Sequence, residues 1–407
     1  MKYSIIDISS NSLSAIVASA EGDRTEIVFK ERAAVSLVRY LGDGKLLPRG
    51  MDKLIETLTE IRENCRRIGA ERCYLISTAA FRNVENFEEI YDKVLAATGL
   101  PVNALDGATE AYCDYVANVY YSSCEKPVLI DLGGKSMEIC DLSETEKEKM
   151  LCLPFGLLDL YRKFIDAIYP DEGEAKKMKS YLTEKFDKAG LPGKDVYKTA
   201  VMVGATNAAM YDIYADYAGE KPADGVKVIR YKKFKKLVKH LIGGEDRSRY
   251  VLNNAPEKIY LIGSAAVVLK TLFKRFGVEQ IIVSDRGVKE GYLQLILEGR
   301  AEGKYLDLQT GISGGSEQAA APKKRGRKPR AAKIDDGAAM SASPKKRGRK
   351  PRAAKADDGA AMSAPPKKRG RKPRAALPVK EAAPAAEEPA EPAPMPEASA
   401  ADGGEQN

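Results

Sequence analysis

The chain has 407 residues, which is enough for two domains with cores of their own and a further segment. Its net charge of +8 is unevenly placed. Residues 316–407 hold 21 Lys/Arg against 12 Asp/Glu, and residues 1–315 hold 45 against 46. The six cysteines form no C-x-x-C pair, and no apolar stretch is long enough to span a bilayer. We therefore expect reduced thiols and a cytoplasmic protein with no membrane segment.

The first 121 residues predict a three-strand meander followed by alternating helices and strands. Strands are predicted at 3–8, 13–19 and 26–38, with Gly22-Asp23 as a hairpin turn. Apolar residues then recur at helical spacing over 49–67. The remaining predicted elements are a strand at 73–78, a helix at 86–98, a strand at 102–105 and a helix at 108–121.

The same order of elements restarts after residue 124. A second meander is predicted at 127–132, 137–142 and 149–153, and helices follow at 157–167 and 171–189. Strands at 198–203 and 258–262 each turn into a helix, and a strand at 280–283 precedes a helix at 288–297. This repetition predicts an α/β fold of two lobes with mixed sheets, at 1–124 and 125–309.

Residues 310–407 differ in composition from the rest of the chain and predict a disordered tail. A basic segment, Lys-Arg-Gly-Arg-Lys-Pro-Arg, occurs three times with a period of 22 residues, and an Ala/Pro/Glu-rich end follows. It resembles the AT-hook, in which Arg side chains enter a narrow minor groove. The predicted DNA-binding residues are Arg325, Gly326, Arg327, Arg347, Gly348, Arg349, Arg369, Gly370 and Arg371. The alternative is a general polyanion tether, which would also gather polyphosphate.

Two aspartates stand at the ends of apolar strands, each before a tight loop of small residues. Asp7 precedes Ile-Ser-Ser-Asn-Ser, and Asp131 precedes Leu-Gly-Gly-Lys-Ser. Free N–H groups in such loops bind phosphate oxygens, and a strand-end carboxylate can hold a hard cation. Two copies predict a duplicated lobe with phosphate held between the lobes.

Five motifs in order resemble one family. They are Asp-Ile-Ser-Ser-Asn-Ser at 7–12, Ser-Thr-Ala-Ala-Phe-Arg at 77–82, Gly-Ala-Thr-Glu-Ala at 107–111, Asp-Leu-Gly-Gly-Lys-Ser-Met-Glu at 131–138 and Ser-Asp-Arg-Gly-Val-Lys-Glu-Gly at 284–291. Together they resemble the exopolyphosphatase/guanosine pentaphosphate phosphatase family over about residues 3–300. The resemblance implies the two-lobed actin- and Hsp70-like (ribonuclease H-like) fold. The only histidine is His240, so the chain resembles the short form that lacks a histidine–aspartate domain.

The resemblance also implies roles for individual residues in phosphoanhydride hydrolysis. Glu110 matches the general base for water, and Asp7 and Asp131 match ligands of Mg²⁺. Glu138 is a further acid in the cleft, and Arg82 pairs with phosphate or with these carboxylates. The expected phosphate-binding residues are Ser9, Ser10, Asn11, Ser12, Gly133, Gly134, Lys135 and Ser136.

Four positions depart from the glycines of the family pattern: Ser9, Lys135, Ala205 and Ser264. Each change is expected to narrow or reshape a phosphate loop, because glycine permits close backbone approach. Lys135 would instead offer a cation to an incoming anion. The carboxylates are unchanged.

The function expected from these observations is Mg²⁺-dependent release of terminal phosphate. The substrate stays open between inorganic polyphosphate and guanosine pentaphosphate. The alternatives are a catalytically silent phosphate-binding protein tethered to DNA by its tail, or a kinase of the same superfamily. A homodimer and a location at the nucleoid are further open expectations.

Overall fold

The computed structural model describes residues 1–22, 24–220 and 225–315. The predicted DNA-binding repeats and almost all of the predicted tail lie outside these residues. The strands are β1 (Lys2–Ile8), β2 (Ser12–Glu21), β3 (Arg24–Ala34), β4 (Leu41–Gly42), β5 (Lys45–Leu46), β6 (Arg72–Ser77), β7 (Val102–Ala104), β8 (Pro127–Leu132), β9 (Met137–Asp141), β10 (Leu151–Leu153), β11 (Thr199–Val203), β12 (Lys227–Ile229), β13 (Gln280–Val283), β14 (Tyr305–Asp307) and β15 (Ser313–Gly314).

The α-helices alternate with the strands that follow each three-strand meander. They are α1 (Pro48–Arg67), α2 (Phe87–Thr98), α3 (Gly107–Asn118), α4 (Leu157–Phe164), α5 (Glu172–Lys188), α6 (Ala205–Ala218), α7 (Tyr231–Gly243), α8 (Arg249–Asn254), α9 (Ile259–Phe276) and α10 (Val288–Leu297). None of the helices in the described part of the chain combines the length and apolarity that a bilayer crossing requires.

Two sheets repeat one strand arrangement. The first runs β15-β14-β6-β1-β2-β3 with β7 also on β6, and the second runs β10-β9-β8-β11-β13-β12. In each sheet an antiparallel meander is extended by a parallel strand: β6 beside β1, and β11 beside β8. The central strands are buried on both faces, as Ile5, Ile6 and Ile8 show, because helices cover both sides of a parallel pair. The duplicated two-lobed fold predicted from the sequence is confirmed.

A third layer joins the two sheets. Helices α3 and α10 pack against each other, and one apolar cluster contains residues of both sheets and of both helices. Ile5 and Ile76 enter it from the first sheet, Leu129 and Val201 from the second, and Leu293 from α10. The shared apolar core connects the two lobes, and the site described below lies in a cleft lined by residues of both sheets.

The predicted strand at 258–262 is wrong, because α9 begins at Ile259. Pro256 starts a short 3₁₀ turn (Pro256–Lys258) that leads directly into the helix. Gly263 is inside α9, where an added Cβ would lie 2.5 Å from Cδ of Pro170. Ser264 is fully buried in the same helix. It therefore packs in the core and does not reshape a phosphate loop.

The end of the described chain returns to the first sheet. β14 pairs with β6 through Leu306 and Cys73, and β15 pairs with β14. The Ser313 hydroxyl also donates to the Gly99 carbonyl over 2.8 Å. Residues 305–307 thus belong to the first sheet, although the sequence analysis assigned them to the second lobe. The described part of the predicted tail, residues 310–315, includes β15.

Candidate active site

Asp7 and Asp131 occupy equivalent places in the two sheets. Each is the second-last residue of the first strand of its meander, and each is partly buried. The Thr78 hydroxyl donates to Asp7 Oδ1 over 3.3 Å. Burial raises the pKa of Asp7, while Lys289 acts in the opposite direction. Burial and then the Glu138 carboxylate raise the pKa of Asp131 to about 8.

The loops that follow the two aspartates face each other. A Cβ built on Gly134 would lie 3.5 Å from Cβ of Ser10. Each loop uses its first N–H group internally: Ser9 donates to the Ser12 carbonyl and Gly133 to the Ser136 carbonyl, both over 3.0 Å. These two N–H groups are therefore not available to a phosphate, contrary to the sequence-based expectation.

Other loop N–H groups remain available. Within the described residues, the backbone N–H groups of Ser10, Asn11 and Gly134 have no protein acceptor, and all three residues line the cleft. The Gly133 and Gly134 carbonyls accept from the N–H groups of Leu157 and Leu158 at the start of α4. These two bonds hold the second loop in place from behind.

Lys135 and Ser136 take other roles than the sequence predicted. The Lys135 ammonium lies 2.7 Å from Asp159 Oδ1 in α4, so it is already paired with a carboxylate. Ser136 is buried, and its hydroxyl lies beside Glu138, where it partly offsets the rise in the pKa of that carboxyl caused by burial. Neither residue lines the cleft.

Glu110 lies in the first turn of α3 and is only 7% exposed. The helix begins there because Asp106 caps it, accepting from the Thr109 N–H group over 2.6 Å. Arg82 donates to Glu110 through Nη2 and to the Leu105 carbonyl through Nε. Burial and then the Glu138 carboxylate raise the pKa of Glu110 well above its usual range, and Arg82 opposes them.

A thiol connects Arg82 to Glu138. The Cys152 thiol donates to Glu138 Oε1 over 3.2 Å, and Arg82 Nη1 is 3.7 Å from the same sulfur. Burial and then the Glu138 charge raise the pKa of Cys152 to about 12, so the thiol remains protonated at neutral pH. A Cβ on Gly107 would lie 2.6 Å from the Cys152 sulfur, so only glycine fits there.

The cleft also contains cations that the sequence reasoning missed, and three of them lie close to its carboxylates. Arg32, Lys258 and Lys289 line the cleft with the carboxylates. Lys258 is only 4% exposed, and burial and then Arg32 lower its pKa to about 8. The Lys289 ammonium donates to the Ser14 hydroxyl over 3.0 Å. Lys289 is within the fifth motif, so its position between matched residues was the available signal.

Together these residues enclose a cleft of about 660 Å³ between the lobes. Its walls include Asp7, Asp131, Glu110 and the loop residues Ser9–Ser12, Gly133 and Gly134. Arg82 and Glu138 lie behind this wall and act through Glu110 and Cys152. Carboxylates and cations thus lie close together in the cleft, which suits a phosphate chain whose reacting group must meet both water and positive charge.

The donor atoms in the cleft fit a hard divalent cation. Gly204 leaves space beside Asp131: its φ is +84°, and an added Cβ would lie 2.1 Å from Asp131 Oδ1. Among the residues that the structure describes, no three Asp, Glu, His or Cys side chains converge on one point. Mg²⁺ is commonly held by one or two carboxylates with water and substrate phosphates, so Asp7 and Asp131 fit this form of binding.

Comparisons with known proteins agree with this geometry. The profile of the Ppx/GppA phosphatase family matches residues 15–298. This chain belongs to the Ppx/GppA phosphatase family. It is 24% identical over 355 residues to exopolyphosphatase 1 of Mycobacterium tuberculosis (strain ATCC 25618 / H37Rv), covering 81% of this chain and 100% of that protein.

Two further relatives show the range of the Ppx/GppA family. A guanosine-5′-triphosphate,3′-diphosphate pyrophosphatase of Photobacterium profundum is 22% identical over 318 residues, which cover 75% of this chain and 61% of that protein. The crystal structure of an exopolyphosphatase from Cytophaga hutchinsonii has a TM-score of 0.66 and 20% identity, over 74% of this chain and 99% of that one. This chain is an exopolyphosphatase-like phosphohydrolase with the fold of that family.

Proposed function

We propose that this protein releases terminal orthophosphate from inorganic polyphosphate or from guanosine 5′-triphosphate 3′-diphosphate. The observation that carries the proposal is the buried Glu110, held by Arg82 at the wall of a cleft that also contains two strand-end aspartates. The similarity to relatives that bear the names of both kinds of enzyme supports both substrates.

Glu110 is the proposed general base. A carboxylate with a raised pKa is a stronger base than one in water, and it can accept a proton from an attacking water molecule. Arg82 fixes the position of the carboxylate, because its guanidinium is held by both Glu110 and the Leu105 carbonyl. Arg82 therefore acts as a positioning residue in this proposal, and it contacts no phosphate directly.

The proposed phosphate contacts come from the two loops and from two lysines of the cleft. The free N–H groups of Ser10, Asn11 and Gly134 can donate to phosphoryl oxygens, and Lys258 and Lys289 supply positive charge. Asp7 and Asp131 would hold Mg²⁺, which neutralises charge on the transferred phosphoryl group and its leaving oxygen when it is bound.

The test is release of inorganic phosphate from both substrates in Mg²⁺, by the wild type and by Glu110→Gln. We expect the variant to lose about 10²- to 10⁴-fold in kcat, because the amide cannot accept the proton. Glu89→Gln is the matched control, since Glu89 is half-exposed on α2 and pairs with Lys93. No release by the wild type, or tight binding without turnover, would contradict the proposal. Equal rates in Glu110→Gln would remove Glu110 as the base.

We also propose that residues 316–407 bind DNA or another polyanion, since the positive charge of the chain lies there. The sequence supports this part of the proposal, through its three basic repeats. A protein ending at Gly315 should keep hydrolysis and lose most affinity for duplex DNA. AT-rich duplex DNA should compete better than GC-rich duplex DNA for binding to the full-length protein if the repeats act as AT-hooks. Undiminished DNA binding by the shortened protein would contradict this division of roles.

A further inference from the structure

A second charged groove lies between helices α5, α7 and α9 of the second lobe. It encloses about 470 Å³, and its floor is apolar, with Ala175, Ile242 and Val267. Its rim consists of lysines from all three helices: Lys176, Lys179, Lys239, Lys270 and Lys274. Long lysine stems can cover such a floor while their ammonium groups remain at the rim. The groove thus presents a row of positive charge to solvent.

The lysines of this groove are not neutralised by the protein. Within the described residues, none of the five ammonium groups has a carboxylate within salt-bridge distance, and Glu172 is the only acid in the lining. Several other surface lysines do have carboxylate partners, as Lys93 and Lys188 show on α2 and α5. Five unpaired like charges around one groove repel one another, and a bound polyanion would relieve that repulsion.

One helix links this groove to the active-site cleft. Lys258 and Leu261 line the cleft at the start of α9, whereas Lys270 and Lys274 line the groove on its later turns. A helix rises about 1.5 Å per residue, so the separation of Lys258 from these two lysines along the axis is about 18 to 24 Å. A linear anion that occupied both places must therefore be long.

We propose that this groove is a second binding site for inorganic polyphosphate, which holds the distal part of a long chain while its end is in the cleft. The inference rests on the proposed function and narrows its substrate to long chains. A chain held at a second place returns to the cleft at high effective concentration, which lowers the apparent KM. Tripolyphosphate and guanosine pentaphosphate are too short to occupy both sites, so they gain nothing from the groove.

The test uses full-length protein in which the five groove lysines are changed to Gln. A matched control removes five positive charges elsewhere, by the changes Lys53→Gln, Arg66→Gln, Arg67→Gln, Lys93→Gln and Lys149→Gln. Both variants keep the C-terminal segment, so its contribution cancels in the comparison. The measurements are kcat and KM for polyphosphate of several hundred residues and for tripolyphosphate.

We expect the groove variant to raise KM for the long chain about tenfold or more, with kcat and the tripolyphosphate KM unchanged. The control variant should change neither KM by more than about twofold. Equal effects of the two variants, or an equal effect on both chain lengths, would overturn the proposal. A lower affinity of the groove variant for duplex DNA with an unchanged KM would reassign the groove to nucleic acid.

Binding measurements separate this inference from the proposed function. With Glu110→Gln as the background, long-chain polyphosphate binding can be measured without turnover. The groove substitutions should weaken that binding about tenfold or more and leave tripolyphosphate binding unchanged. A wild type that binds long chains through the groove but releases no phosphate would refute the hydrolysis and support the groove. Unchanged long-chain affinity would refute the groove alone.

Discussion

The two lobes place different side chains at the same positions of the same backbone. The residues directly opposite one another across the three strands of each meander form an equivalent row in the two sheets. These rows are Asp7, Ser14 and Arg32 in the first lobe and Asp131, Glu138 and Cys152 in the second. The first row has one acid and one base, whereas the second has two acids and a protonated thiol.

This difference shows how a duplicated fold can divide one reaction. The backbone fixes the positions of the strand-end aspartate and of the two residues opposite it on the adjacent strands. The side chains at these positions then determine the charge of the row. The aspartate of the first lobe lies near two cations, Arg32 of its own sheet and Lys289 of α10. The second lobe places Asp131 and Glu138 side by side: burial raises the pKa of both, and the Glu138 carboxylate raises that of Asp131 further, so a bound cation would be favoured there.

The largest expected effect is a difference in kcat between substitutions at the central residues of the two rows, Glu138 and Ser14. Glu138→Gln should lower kcat by about 10²-fold or more, because it removes the charge that, after burial, contributes most to the raised pKa of the proposed base Glu110. Ser14→Ala should change kcat by less than about threefold, since it removes only one hydrogen bond that the Lys289 ammonium donates and leaves the charge of the row unchanged. Steady-state phosphate release measures both. Similar losses in the two variants would show that the rows do not differ in role.

The next largest effect is expected at Gly204, which leaves space for the Asp131 carboxylate. Gly204→Ala should lower kcat by about 10²-fold, because its Cβ displaces the Asp131 carboxylate and small misplacements cost that much. Gly219→Ala is the control: its φ is +63°, but no atom lies within 4 Å of an added Cβ. Both glycines have a positive φ that strains any other residue: Gly219 is in the left-handed helical region, where the cost is about 1–2 kcal/mol, and Gly204, with ψ 165°, is in a region that is essentially restricted to glycine. The thermal unfolding temperature should therefore fall in both variants, whereas kcat should fall only in Gly204→Ala.

A smaller effect tests the cation at the start of α9. Lys258→Met should raise KM about tenfold, the value of one charge-assisted hydrogen bond, with little loss of thermal stability. Lys53→Met, on the surface of α1, should change neither quantity.

The pH dependence of KM gives a second readout for Lys258. Arg32, Glu257 and Asp131 face its ammonium, and the net effect with burial lowers its pKa to about 8. The charged form is present below that pH and is lost as pH rises through it. KM of the wild type should rise above about pH 8 more steeply than KM of Lys258→Met. Parallel pH profiles would remove Lys258 from the phosphate site.

The smallest effect concerns the thiol of the second row. Cys152→Ala should lower kcat about fivefold, since one hydrogen bond of about 1 kcal/mol to Glu138 is lost. Cys152→Ser keeps a donor of nearly the same size and should restore most of the activity. Cys124→Ala, at the other partly exposed thiol, serves as the control. Equal activity of the Ala and Ser variants would show that Cys152 does not position Glu138.

Local sequence patterns predicted those parts of the site whose position is determined by residues close together in the chain. The apolar runs before Asp7 and Asp131 fixed both strands, and the helix start at Asp106 and Gly107 placed Glu110 correctly. The duplicated architecture followed from the repeated order of elements. These features depend on neighbouring residues, so a single sequence contains them.

The remaining features depend on long-range register and on tertiary packing. Arg32 and Cys152 reach the site because β3 and β10 pair with their neighbours in one particular register. Lys258 was missed because Ile259 to Ile262 resemble a buried strand, whereas in the structure these residues begin α9, which packs through Gly263 against Pro170. The pairing of β14 with β6 joins residues more than 200 positions apart.

The shared layer of α3 and α10 has a mechanical consequence. The chain passes from the first sheet to the second before β8, and it returns through α10 to β14, so two covalent connections cross between the lobes beside one apolar core. Sliding of one lobe past the other would stretch both connections and disrupt the packing of that core. Rotation about the layer preserves them, which makes this layer the natural hinge for opening and closing the cleft.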